Sequence, residues 1–199
     1  MNRTPMGVIV LLAIAIACWA CGGKRATSAS SQQTNSNAST TTASGELHFT
    51  APDGWVTEKP SSNMRAAQYK LPKAESDSED ASLVLYYFGA TQGGPVQANI
   101  DRWIAQMEQP DGSSSKDKAR TETMTVNGLK VTAVDVTGTF TAEMSPGSSA
   151  RHNNANYSLR AAVVETPKGN YYAKLVGPEK TIARWDQSFI DYLKTFEFK

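Results

Sequence analysis

The residues best suited to chemistry lie in FGATQGGPVQANIDRW, residues 88–103, where an aromatic strand runs through glycines into a helix. A helix N-terminus offers free N–H groups and a dipole to a phosphate, and glycines let the ligand approach. Gly89 to Gly94 has the glycine spacing of a P-loop, but Pro95 stands where the lysine belongs and Val96 replaces the Ser or Thr that holds magnesium. Proline also removes a donor. A dinucleotide fingerprint fails as well, because the G-x-G-x-x-G spacing is absent. The stretch therefore reads as a strand-to-helix corner shaped by Gly93, Gly94 and Pro95. Asn99 lies at the margin of the helix's apolar face, where its amide can tie down the loop or meet a partner. Arg102 lies further from that face and is placed to meet a carboxylate, on this protein or a partner, and Trp103 lies within it. With Arg65, these form the candidate binding or loop-ordering set: Arg65, Gly93, Gly94, Asn99, Arg102 and Trp103.

The remaining chemistry is thin. His48 alternates with apolar neighbours and His152 sits in the polar stretch SPGSSARHNNAN, so a metal would need both to meet distant carboxylates. No G-x-S-x-G elbow, Cys-His pair or H-E-x-x-H motif occurs. The expectation is no catalytic residue, no metal and no cofactor. The chain has 20 Lys and Arg against 19 Asp and Glu, and this balance argues against a nucleic-acid binder. The runs ESDSED and SKDKAR read as loops of solvated charge.

The elements that must position these residues alternate between strands and turns. ELHFTAP sets Leu47 and Phe49 against polar neighbours, Pro52, Asp53 and Gly54 turn the chain, and MRAAQYKLP follows as a strand. LVLYYFG is apolar throughout, which predicts a central strand covered on both faces. Asn127-Gly128 predicts a hairpin in TMTVNGLKVTAVDVTGTF, and Pro167 to Asn170 turns another in YSLRAAVVETPKGNYYAKLVGP. One helix carries Val96, Ile100, Trp103, Ile104 and Met107 on one face. A second carries Ile182, Trp185, Phe189, Leu193 and Phe196, with Pro178 in its first turn. Both helices pack on the sheet. The class is α+β: an antiparallel sheet flanked by helices, in one domain over residues 46–199.

The first 45 residues differ from the rest. Met1 to Ala20 has a short n-region with Arg3, an apolar stretch from Met6 to Ala17 and a cysteine-containing end, the pattern of an export signal. IAIACWACGG resembles a bacterial lipobox, in which Cys18 is the favoured lipidation site and Cys21 the alternative. No cysteine follows, so the domain has no disulfide and no thiolate metal site. Residues 21–45 are rich in Ser, Thr and Asn and, beyond the Cys21 position, carry no large aliphatic or aromatic side chain, which predicts a disordered tether. Its end-to-end distance is on the order of 25–30 Å.

APDGW, MRAAQYKLP, YYFGATQGGPVQANIDRW and KLVGP together resemble small exported bacterial proteins with the fold shared by PsbP and Mog. The resemblance runs over residues 46–199 and implies an antiparallel sheet between helices, without enzyme activity. The residues that bind Ran in Mog or metals in PsbP have no match here. Two function classes follow. One is a lipid-anchored, non-catalytic module of the cell envelope, periplasmic or on the outer surface, that binds a protein or other envelope component. The other is a small-ligand carrier with a pocket between sheet and helix, near Tyr86, Phe88 and Trp103.

Overall fold

The computed structural model describes residues 45–199; the signal peptide, the lipobox cysteines Cys18 and Cys21, and nearly all of the tether lie outside the described residues. The chain forms β1 (Leu47–His48), β2 (Val56–Glu58), β3 (Arg65–Leu71), β4 (Ala81–Tyr87), α1 (Val96–Ile104), β5 (Met107–Glu108), α2 (Ser115–Lys118), β6 (Arg120–Val126), β7 (Leu129–Phe140), β8 (Asn154–Thr166), β9 (Gly169–Pro178), α3 (Glu179–Arg184), α4 (Asp186–Lys194) and β10 (Glu197–Phe198). Eight strands make an antiparallel sheet in the order β2-β3-β4-β9-β8-β7-β5, with β6 also paired to β7. β1 and β10 form a separate two-stranded ribbon. The architecture is α+β and dominated by the sheet. Among the described residues no helix is long and apolar enough to cross a membrane.

Alternation along the strands divides the side chains between two faces. Leu83 and Leu85 of β4, Ala173 and Leu175 of β9, and Ala162 and Val164 of β8 face one way, onto Ile182, Phe189 and Leu193 of α3 and α4. Trp55, Tyr69, Tyr192 and Phe196 close this layer, with ring centroids 4.8–5.8 Å apart in successive pairs. Leu159, Ala161 and Val163 of β8 and Tyr172 of β9 face the other way, onto Ile100, Trp103 and Ile104 of α1. Helices therefore pack on both faces.

The Asn127-Gly128 turn has φ of 48° and 81°, the doubly positive turn that suits a tight hairpin. Several boundaries differ from the sequence expectation. The second hairpin turns at Pro167-Lys168, and Gly169 and Asn170 already pair with Thr166 and Glu165. Phe49 lies beyond the short β1, which pairs with β10 and not with the main sheet. α1 stops before Met107, which joins β5 and pairs with Phe140. Helical periodicity does not separate a buried helix residue from a buried strand residue just beyond it.

The C-terminal helix is two helices broken at Trp185, whose φ of −102° and ψ of 9° leave the helical range. The Trp185 indole N–H donates to the Pro72 carbonyl at 2.8 Å, an anchor outside the helix. Pro178 is the N-cap of α3 and not a first-turn residue, and it offers no side-chain cap. Asp77 supplies one from a distance: its Oδ2 accepts from the Thr181 N–H at 2.7 Å and the Thr181 hydroxyl at 2.6 Å. Asp80 accepts from the Lys73 N–H, and Glu79 from the Tyr157 hydroxyl. ESDSED is thus a folded cap and not merely solvated charge. In SKDKAR, Ser115–Lys118 is a short helix capped by Ser114, and Arg120 begins β6.

Candidate functional site

The sheet is too wide for its cover. Seven strands abreast span roughly 29 Å at about 4.8 Å per interval, whereas the nine residues of α1 extend about 14 Å. α1 packs mainly on β7 and β8 and reaches β9 at Tyr172, beneath Trp103, so the part of β4 and β9 carrying Ser82, Val84, Lys174 and Val176 faces open space. The result is a cavity of about 860 Å³. Ser82, Val84, Lys174 and Val176 make its floor, Arg102, Ala105 and Gln106 one wall, and the segment after β7 with Ala142, Glu143, Pro146, Arg151 and His152 another. Arg65 and Tyr86 stand at the β3 side and Phe140 at the β7 side. Within LVLYYFG, Leu83, Val84 and Leu85 are buried on both faces as expected, while Tyr86, Tyr87 and Phe88 are half-buried, so cover is complete at the start of the stretch and partial at its aromatic end.

Strand register places the floor. Val84 pairs with Lys174 and Ser82 with Val176, so both pairs point out of one face side by side. Lys174 is one position from Ala173 and Leu175, which face the opposite core. Its ammonium group donates to Gln106 Oε1 at 2.5 Å and lies 5.2 Å from the centroid of the Phe140 ring. Burial pushes the Lys174 amine down from its usual range to about 8, and the charge of Arg102 adds to the shift.

Four cations line the cavity: Arg65, Arg102, Arg151 and Lys174. Among the described residues none of them lies within 4.0 Å of a carboxylate. Arg65 donates to Gln68 Oε1 at 2.7 Å and sits 5.7 Å from the Tyr86 ring centroid. Arg102 donates to Asn99 Oδ1. Glu143, the acidic residue of the lining, is engaged with the Gly147 N–H at 3.0 Å. The apolar surfaces of Val84, Val176, Phe140 and Tyr86 complete the wall. Such an arrangement can hold an anion against a hydrophobic surface, since hydrogen bonds from charged donors are about twice as strong as neutral ones.

A second hollow on the opposite face is built differently. It is lined by Arg120, Asp135, Arg160, Asp186 and Phe189, among others, with a volume of about 390 Å³. Arg120 lies 2.7 Å and Arg160 3.6 Å from Asp135, and Arg160 also pairs with Asp186. Both of its arginines are paired with carboxylates, unlike the cations of the first cavity.

The glycine corner sits beside the cavity. Asn99 is buried, and its amide donates to the Gly93 carbonyl at 2.8 Å and the Pro95 carbonyl at 2.9 Å. Gly93 has φ of 91°, and a Cβ there would fall 2.4 Å from the Tyr172 hydroxyl, which donates to the Gly94 carbonyl at 3.1 Å. Only glycine fits that approach. The free N–H groups of α1 follow Pro95, and the loop folds on Asn99 and Tyr172 rather than around an open cradle. Of the residues singled out by sequence, Arg65 and Arg102 line the cavity; Gly93 and Gly94 line a shallower hollow that shares Arg102 with it; Asn99 and Trp103 are buried beneath. Tyr86 lines the cavity as the carrier reading requires, while Phe88 stacks 5.8 Å from it and Trp103 is sealed in the core.

Sequence reasoning missed Lys174, Gln106, Phe140 and Arg151, and took His152 only as a candidate metal ligand. A signal was present for Lys174: one lysine interrupts the apolar strand YYAKLVGP. A lysine in a central strand is rarely buried without a partner, so its presence there marks the position. His48 lies on the separate ribbon strand β1, apart from the strands that hold the cavity, and among the described residues no group of three or more His, Cys, Asp or Glu could hold a metal.

No family model and no curated protein matches the chain. Among solved structures, it is similar to PA94, a Pseudomonas aeruginosa protein of unknown function, with 15% identity and a TM-score of 0.41 over 77% of this chain and 96% of that one. A likeness at that level carries no argument about the site.

Proposed function

We propose that the folded part is a non-catalytic binding module of the bacterial cell envelope, which holds a small anionic ligand with an apolar body between the sheet and α1. One observation carries this reading: four cations that, among the described residues, have no carboxylate partner line a single cavity together with the apolar surfaces of Val84, Val176, Phe140 and Tyr86. At about 860 Å³, the cavity lies within the 300–1,000 Å³ range usual for small-molecule sites, and its mix of apolar walls and a few convergent polar groups is typical of them. The protein-binding alternative calls for a broad exposed apolar patch. The large exposed apolar side chains described are Val56, Met64 and Met144, on three different segments, which favours the ligand carrier.

Export and lipid attachment at Cys18 or Cys21 belong to this proposal and rest on the N-terminal sequence. A tethered binder beside a membrane would keep its ligand near the envelope. The single-domain, PsbP-like reading of residues 46–199 belongs here too, supported by helices packed on both faces of an antiparallel sheet.

The test uses two fluorescent probes of nearly equal shape: anilinonaphthalene sulfonate, which is anionic, and the uncharged N-phenylnaphthylamine. The protein should bind the sulfonate at one site, more weakly as salt rises. Replacing Arg65 and Arg102 together by alanine should weaken that binding about tenfold or more while leaving the neutral probe unchanged. Equal affinity for both probes, or indifference to the arginines, would overturn the proposal.

A further inference from the structure

Lys174 differs chemically from the arginines around it. A guanidinium stays charged at any physiological pH, so the arginines can only attract and orient an anion. The Lys174 amine is held at about 8, so near neutral pH a far larger fraction of it carries a free lone pair than of an ordinary lysine. Its surroundings explain this state. Burial and the like charge of Arg102 from α1 depress it, outweighing the Gln106 acceptor and the Phe140 ring, which favour the charged form, while β4 presents Val84 alongside. Arg65, Arg151, His152 and Glu143 line the same space from β3 and from the segment after β7. No carboxylate described lies within ion-pair distance to restore the proton's hold. A desolvated lysine beside another cation is the setting that makes an amine nucleophilic.

We propose that Lys174 is a covalent capture site, at which its amine forms a reversible imine with an aldehyde or ketone group of the anionic ligand held by Arg65, Arg102 and Arg151. This rests on the anion-binding reading above. In the step, the neutral amine nitrogen forms a bond to the carbonyl carbon while the C=O π electrons move to oxygen. Proton transfer from nitrogen to oxygen gives a carbinolamine. Loss of its hydroxyl together with the remaining N–H proton as water leaves C=N, and the water departs through the open mouth. Nothing is oxidised or reduced, and hydrolysis by one water returns the free amine and the carbonyl compound. The ligand class is therefore an anionic carbonyl compound: a carboxylate or phosphate on an apolar body, with a reactive C=O.

Pyridoxal 5′-phosphate, an anionic aromatic aldehyde, serves as the probe. The full chain is incubated with a limiting amount at pH 7.5, reduced with borohydride to fix any imine as a secondary amine, digested and mapped by mass spectrometry. Lys174 should carry the label in preference to exposed lysines such as Lys194 and Lys199 by about tenfold or more, because a larger share of its amine is uncharged and the arginines hold the phosphate beside it. Pyridoxal without the phosphate should show a weaker preference, because the arginines no longer concentrate it beside the amine, and Lys174→Arg should remove the site-specific label. Labelling of Lys174 no faster than of surface lysines would overturn the inference. If the anionic probe still binds in an arginine-dependent way, only covalent capture falls; if that binding is absent as well, the anion-binding reading falls with it.

Discussion

The two faces of the sheet use the same strands to opposite ends. On the α3 and α4 face, Leu83, Leu85, Ala173 and Leu175 are fully buried beneath Phe189, Tyr192 and Leu193. One residue along the same strands, Ser82, Val84, Lys174 and Val176 line an open cavity. The charged groups differ in the same sense. Beside the closed face, Arg160 is held between Asp135 and Asp186, while on the open face Lys174 and three arginines meet no carboxylate among the described residues. A two-residue period lets one strand serve both purposes, because neighbouring side chains never share a face. Stability is concentrated where cover is complete, and recognition is possible where the short α1 leaves the sheet bare.

The sharpest way to break this contrast is to damage the closed face. Phe189→Ala removes a ring at 2% exposure and should cost about 3–5 kcal/mol in a denaturant melt. Binding of the anionic probe by the fraction that remains folded should be unchanged. A loss of affinity in folded protein would mean that the faces are coupled.

Lys174 should show the reverse pattern. Its folded-state value is depressed from 10.5 to about 8, so below about pH 8 both states hold the proton and the native state carries the full penalty of burying it. As pH rises from about 8 to 10.5 the unfolded chain binds more protons, and stability rises. Lys174→Met should thus stabilise the protein at pH 7, on the order of 2 kcal/mol, with the gain fading above pH about 10. Paired melts of the two proteins across pH check both sign and window. The same variant should weaken anion binding.

A smaller effect separates the glycine corner from the cavity beside it. Asn99→Ala removes two hydrogen bonds to the corner and should cost about 1–2 kcal/mol. Arg102→Ala, three residues on and exposed, should change stability by no more than about 0.5 kcal/mol while reducing probe affinity. Denaturant melts beside probe titrations give both numbers; equal stability losses would merge the corner and the site into one unit.

How far this was legible in the sequence differs between the faces. The closed face announces itself through period-two leucines and through Phe189 and Leu193 at helical spacing, although the break at Trp185 depends on Pro72, far away in the chain. The Asn127-Gly128 hairpin and the Gly93 to Pro95 corner were readable because their chemistry is local. The open face is assembled from β3, β4, α1, β9 and the segment after β7, whose cations lie at scattered positions from 65 to 174. No spacing rule brings Arg65, Arg102, Arg151 and Lys174 together; strand register and the shortness of α1 do. Arg65 and Arg102 were singled out on local grounds, and their common cavity becomes visible only in three dimensions.

The central claim is that anions bind on the open face alone. Titrating the isotope-labelled protein with anilinonaphthalene sulfonate and following backbone amide shifts tests it most directly. The account predicts saturable shifts at Val84, Ala105, Gln106, Lys174 and Val176, with Leu85, Phe189 and Leu193 unmoved. Shifts centred on Phe189 and Ile190, beside the paired charges of the closed face, would contradict it.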